Sequence, residues 1–215
     1  MPRSTDTPMK TKSRIVVAAI ALFNDRGTKA VTTNHIAAEA GISPGNLYYH
    51  FRNKTDIIRA IFDEMDKYGV AEYRRISAER GPATADAVAG TFVMLQEFNW
   101  RYRFFKREMT SLVTADPVLK KRFIKTHRAM LALVRSALDV SIAQGLLRDI
   151  PARERDLLAE EIWLVTLFWP NYLELGGEKV DTGTLERGSE QLRGIMLRYV
   201  TQKGLRAFSR PGRAG

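Results

Sequence analysis

The stretch from Thr32 to Lys54, TTNHIAAEAGISPGNLYYHFRNK, constrains the fold of this chain more than any other. It carries two short helical patterns divided by a tight turn. That is the layout of a helix-turn-helix, which sets its second helix in a DNA groove. Thr32 or Thr33 caps the first helix, and Ile36, Ala37 and Ala40 form its buried stripe. Gly41 supplies the positive φ that ends it, and Ile42 plugs the corner. Ser43 caps the second helix, and Pro44 takes its first position, where a missing N–H costs nothing.

Leu47 and Phe51 lie four apart on that second helix and share a face, which makes them its core anchors. Gly45, Asn46 and Tyr49 then point away, with Tyr48 and His50 flanking the stripe. Solvated helix faces usually carry Glu and Lys. This face suits DNA instead: asparagine pairs two-fold with an adenine edge, and Tyr or His reaches phosphate or a thymine methyl. The following helix starts at Asn53, with Asp56 three residues on as a capping partner. Lys54 in its first turn opposes the helix dipole, so something must compensate it. A DNA phosphate held by this ammonium and free backbone N–H groups is the expected compensation, and a solvated surface lysine is the plainer reading.

The pattern T-x-x-x-I-A-x-x-A-G-I-S-x-G-x-L-Y-Y-H-F-x-N-K at 32–54, within residues 10–62, resembles the DNA-binding domain of TetR-family transcriptional regulators. The resemblance implies an all-α homodimer. Three N-terminal helices form a helix-turn-helix DNA-binding domain, a fourth links, and a larger C-terminal helical domain binds a ligand and dimerises. Carried over residue by residue, the DNA contacts fall on Thr33, Asn34, Ser43, Asn46, Tyr48, Tyr49, His50 and Lys54. Gly45 leaves one groove-facing position without a side chain, which puts base reading there in doubt.

The chain's 215 residues suffice for that module plus one helical domain with a real core. A net charge of +10 favours a polyanionic partner, although membrane surfaces and solubility also account for basic chains. The absence of cysteine excludes disulfides, thiolate nucleophiles and cysteine-based metal sites, and fits a reducing cytoplasm. No metal or cofactor is expected. The apolar run from Ile162 to Leu175 is broken by Pro170, Asn171 and Glu174 and is too short to span a bilayer, so no membrane partner is expected either. The histidines are His35, His50 and His127, two of them in the helix-turn-helix, and no catalytic motif accompanies them. Glu160 and Glu161 are adjacent and face different ways. Catalysis is not expected.

Along the chain, residues 1–9 are expected to be a disordered basic arm, and 10–54 the DNA-binding domain, with a linking helix over 53–80. Within it, a first helix over Lys10–Asp25 is closed by Gly27. Residues 81–204 form the effector-binding and dimerisation domain, with helices over 84–103, 118–144, Pro151 to Gly176, and Thr184–Lys203; 205–215 form a disordered tail. The aromatic-basic mixture WRYRFFKREMTSLVTADP is either a core face beside a solvated one or a stacking surface for nucleic acid. The helix after Pro151 is apolar nearly all round, so it is expected to be buried on two sides, the second against a subunit partner. Pro170 should free a carbonyl near Thr166. Aromatic density makes Phe105, Met109, Phe123, His127, Trp163 and Phe168 the candidate ligand-pocket residues, each with plain core as its other reading.

Together these features predict a cytoplasmic, dimeric, sequence-specific DNA-binding regulator, a repressor released by a small apolar effector. Its operator should be near-palindromic, with half-sites roughly 34–36 Å or a multiple of that apart. The alternative is a DNA-bound regulator that acts through another protein without a small-molecule ligand. A sealed C-terminal core would favour that alternative, and an apolar cavity with a few polar groups the effector.

Overall fold

The computed structural model describes residues 10–81 and 85–208; among these it contains ten helices and no strand. The chain divides into two compact units, with the boundary between Met65 and Asp66.

The N-terminal unit contains α1 (Thr11–Ala30), α2 (Thr33–Glu39), α3 (Pro44–His50) and the first part of α4 (Lys54–Arg80). Its core is built from the predicted stripes: Ile15, Ala19 and Phe23 of α1, Ile36 of α2, Leu47 of α3, and Ile57 and Ile61 of α4 are all fully buried. Each large aliphatic or aromatic side chain so placed contributes about 1.5–3 kcal/mol. α1 runs past its expected end. Gly27 does break the helical path, at φ 75°, but the chain resumes a helical turn through Ala30.

The C-terminal unit holds the rest of α4, then α5 (Ala85–Arg101), α6 (Arg103–Ala115), α7 (Pro117–Ala143), α8 (Ala152–Leu175), α9 (Thr182–Leu197) and α10 (Gln202–Phe208). α5 and α6 are separated at Tyr102, which leaves helical geometry at φ −114°, ψ 33° and is fully buried. Phe104 and Phe105 are buried as well, so Tyr102, Phe104 and Phe105 of this segment are core rather than a nucleic-acid stacking surface, while Trp100 stays exposed with Arg103 over its ring at 4.4 Å. Asp116 caps α7 by accepting from the Val118 N–H at 3.0 Å, and Pro117 occupies the first turn. Gly145, at φ 68°, closes α7, and the Leu146 N–H donates back to the Ser141 carbonyl at 2.9 Å.

Two expectations for the C-terminus are corrected. The single helix over Thr184–Lys203 is two helices, because residues 199–201 turn aside to pair backbone with the segment after α7. The Arg148 N–H donates to Tyr199 O at 2.8 Å and the Thr201 N–H to Leu146 O at 3.0 Å. Residues 205–208, expected in the tail, belong to α10. The arm 1–9, the rest of the tail at 209–215, and Pro82 and Thr84 at the predicted helix ends lie outside the described residues.

α8 carries the unit. Leu158 and Ala159 join Leu138, Leu147, Ile150 and Tyr199 in one core cluster. Pro170 sits inside the helix and removes the donor that Thr166 O would have had. The buried ammonium of Lys106 approaches that oxygen at 3.4 Å. On its other side α8 leaves Leu157, Leu164, Phe168, Tyr172 and Leu175 exposed, spaced so that they form one stripe. α8 therefore carries a second apolar side that its own chain does not cover. In α9, by contrast, Leu185 and Leu192 are buried within their own chain, Ile195 and Met196 pack on its core, and Leu197 is the large apolar side chain left outside.

Candidate nucleic-acid interface and effector cavity

The N-terminal site begins with its caps. Thr32, not Thr33, caps α2: its hydroxyl accepts from the His35 N–H at 3.2 Å, and His35 Nδ1 accepts from the Thr32 N–H at 3.3 Å. This leaves the Thr33 hydroxyl free to meet the Tyr48 hydroxyl, 2.9 Å away, joining α2 to α3. Ser43 caps α3 by accepting from the Asn46 N–H at 3.2 Å. Gly41, at φ 64°, ends the α2 segment, and the guanidinium of Arg14 donates to the Ala40 carbonyl beside it at 2.6 Å. The sequence does not mark Arg14 for this role, because a cation in a first helix carries no local sign of which distant carbonyl it will meet.

With Leu47 and Phe51 buried, the outer face of α3 is set. Tyr49 is 85% exposed and Tyr48 50%, Ser43 and Asn46 are exposed, and His50 is half-buried with its ring edge-on to Tyr49 at 5.1 Å. Asn34 is exposed on α2 and Thr33 is half-buried. A Cβ added at Gly45 would meet nothing closer than Ser43 Oγ at 4.0 Å, so packing within the chain does not require glycine there.

Lys54 departs from expectation. Its ammonium donates to the carbonyls of Thr28 and Val31, the second at 2.8 Å. These oxygens lie at the end of α1, where unsatisfied carbonyls carry partial negative charge. The compensation sought for a cation at a helix start is thus internal, and Lys54 is a clamp between α1 and α4. Of its three N–H donors, one is left over.

The second site is a cavity of about 480 Å³ in the C-terminal unit, between α6, α7 and α8. Met109, Phe123, His127, Trp163 and Phe168 line it, with Val113, Ile124, Leu131, Leu164 and Leu167 completing its apolar wall and Thr110, Thr114 and Glu160 as further polar groups. Phe105 does not line it; it is buried edge-on to Phe104 at 6.2 Å. It shares a face of α6 with Met109 but lies one turn nearer the helix start, beyond the cavity's end. Trp163 Nε1 donates to His127 Nδ1 at 2.7 Å, bridging two walls, and Phe123 stacks on the imidazole at 6.4 Å. Among the described residues no cluster of His, Cys, Asp or Glu could hold a metal ion, and no helix is long and apolar enough to cross a membrane.

A three-helix unit with caps that hold an outward Asn-Tyr-Tyr face defines a helix-turn-helix DNA-binding protein. Residues 15–61 match the family model described as bacterial regulatory proteins, tetR family, and residues 68–208 match that described as TetR, bacterial transcriptional repressor. The chain belongs to the TetR family of transcriptional regulators, a family of regulators rather than enzymes. It is similar to the crystal structure of a TetR-family transcriptional regulator from Marinobacter aquaeolei VT8, at 32% identity and TM-score 0.83 over 94% of this chain and 97% of that one. It is 35% identical over 74 residues to the HTH-type transcriptional repressor KstR2 of Mycolicibacterium smegmatis, which is 33% of this chain and 36% of that protein. The chain spans less than two thirds of the length of the curated relatives it matches first, 36%, 65% and 30%. It shares its fold with the SmeT–triclosan complex, at TM-score 0.63 and 22% identity over 95% of this chain and 97% of that one.

Proposed function

We propose that this chain is a cytoplasmic repressor that binds a near-palindromic operator as a homodimer and leaves it when a small apolar molecule enters the C-terminal cavity. The observation that carries the reading is the outward face of α3, where Asn46, Tyr48 and Tyr49 stand exposed while Leu47 anchors the helix from behind. Each subunit inserts α3 into the major groove, with Asn34 and Thr33 of α2 beside it. Asn46 and Tyr49 meet base edges, and Ser43, Tyr48 and His50 the backbone and its margins. Lys54 holds the carbonyls behind this surface and offers its remaining donor to phosphate.

The exposed Leu157, Tyr172 and Leu175 on α8, which lie outside the cavity lining, with Leu197 of α9, support a two-fold dimer that buries them. The family acts as dimers, and one protein of the same fold, SmeT, forms a complex with the small molecule triclosan. An apolar cavity supports the effector reading over a regulator that works only through another protein. The DNA-binding domain is proposed to extend through residues 10–54 and the start of α4, and the effector and dimer domain through 81–204.

The test is selection of bound fragments from random DNA with the full chain, followed by a screen for compounds that release them. A two-fold sequence with half-sites roughly 34–36 Å or a multiple of that apart supports the proposal. No enriched sequence would overturn it.

A further inference from the structure

The cavity's one hydrogen-bonded imidazole says more than that the site is apolar. An indole N–H can only donate, so the contact from Trp163 Nε1 at 2.7 Å requires His127 Nδ1 to be the bare ring nitrogen. In the neutral ring the single proton then sits on Nε2. Trp163 stands on α8 and His127 on α7, so this proton position is fixed by a contact between two walls. Phe123 holds the ring plane from the side, its ring within 16° of parallel to the imidazole. Among the described residues no acceptor takes the Nε2–H. A half-buried donor against apolar walls gains most from a partner carried in by a ligand.

The remaining polar groups narrow the ligand further. The Thr114 hydroxyl already donates to Thr110 O at 2.7 Å, and Thr110 itself is exposed, so its hydroxyl is served by water. No Lys or Arg lines the cavity, and its one carboxylate, Glu160, is exposed. An anionic ligand would therefore leave water with no cation to meet it. A cationic ligand would face the positive end of the Nε2–H dipole, and Glu160 is too well solvated to offset that. We infer that this cavity takes an uncharged, largely apolar ligand bearing a hydrogen-bond acceptor, such as a ketone, and that His127 Nε2–H is the group that recognises it. This rests on the effector-site reading above and adds the ligand's chemistry to it.

Four probes of similar shape test it on the full chain by calorimetry: 2-acetylnaphthalene, 2-ethylnaphthalene, 2-naphthoate and the 2-naphthyltrimethylammonium ion. The ketone should bind about tenfold tighter than its ethyl counterpart, the effect of one donor satisfied in an apolar site. His127→Phe keeps the stack and removes the donor, so it should bring the affinities of ketone and hydrocarbon within about twofold of each other. Nitrogen-15 shifts of the His127 ring should show a protonated Nε2 and a bare Nδ1, and Trp163→Phe should release that preference. Equal affinity for ketone and hydrocarbon, a preference that survives His127→Phe, tightest binding of either ion, or a proton on Nδ1 would each overturn the donor assignment and leave the effector site standing. Failure of all four to bind would overturn both.

Discussion

The ammonium of Lys106 lies 3.4 Å from the carbonyl oxygen of Thr166, an acceptor that Pro170 deprives of its helical donor four residues on. Two costly features of the interior thereby offset each other: a lysine 4% exposed with no carboxylate beside it among the described residues, and a helical oxygen without an N–H. The Phe98 ring, 5.6 Å from the ammonium, adds a face of negative potential. The compensation is incomplete. Burial pushes the Lys106 ammonium down from 10.5 to about 8.

Stability should therefore depend on pH with a definite sign. Below about pH 8 both states carry the proton, and the folded state bears the full cost of a charged Lys106, about 3 kcal/mol. Between about 8 and 10.5 the unfolded chain still holds a proton that the folded chain has released, so this group makes stability rise with pH. Lys106→Met removes that term and leaves Thr166 O unpaired, a loss of about 1–3 kcal/mol. Urea melts of both proteins from pH 7 to 10.5 should show the wild type gaining about 2–3 kcal/mol relative to the variant.

Lys54→Ala should cost stability before it costs DNA affinity. Two charge-assisted hydrogen bonds to Thr28 and Val31 are lost, about 1–3 kcal/mol together after relaxation. Thermal melting should fall, and binding to every sequence should weaken with it. An unchanged melt with a flatter salt dependence of binding would return Lys54 to the role of a plain phosphate contact.

Gly45→Ala separates folding from recognition. The position has room for a methyl group, so the substitution should stabilise α3 by up to about 1 kcal/mol. If the groove approaches this helix closely, operator affinity should nevertheless fall about tenfold or more. Melting and operator titration of the same preparation report the two effects independently.

On α8, Leu175 is 90% exposed and Leu157 shares its face, and neither lines the cavity. Leu157→Glu with Leu175→Glu should leave the monomer's core intact and weaken self-association about 100-fold or more, since each leucine loses about 1.5–3 kcal/mol of burial in a dimer. Sedimentation velocity over a dilution series checks this.

Local chemistry made the N-terminal unit legible. Ser43, Pro44, Gly41 and the Leu47–Phe51 spacing each act within a few residues, so their structure follows from sequence distance alone. Pro170 and Thr166 were legible for the same reason. What lay across long separations was not: the partners of Lys54 are 23 and 26 residues away, and Thr201 meets Leu146 across 55. The break between α9 and α10 follows from that distant pairing, because the apolar spacing of Ile195, Tyr199 and Val200 continues through it as if the helix did too. In the cavity, aromatic density picks out Met109, Phe123, His127, Trp163 and Phe168; Phe105 shares the face of Met109 but lies one turn nearer the start of α6, outside the cavity.

The outward face of α3 is tested most directly by titrating wild type and Tyr49→Ala against the selected operator and against a random duplex at one salt concentration. Tyr49 is 85% exposed, so its removal disturbs little inside the chain. Operator affinity should fall about tenfold or more, the scale of one lost base contact, while random-duplex affinity stays within about twofold. Equal loss on both duplexes, or no loss on either, would contradict the assignment of this face to base recognition.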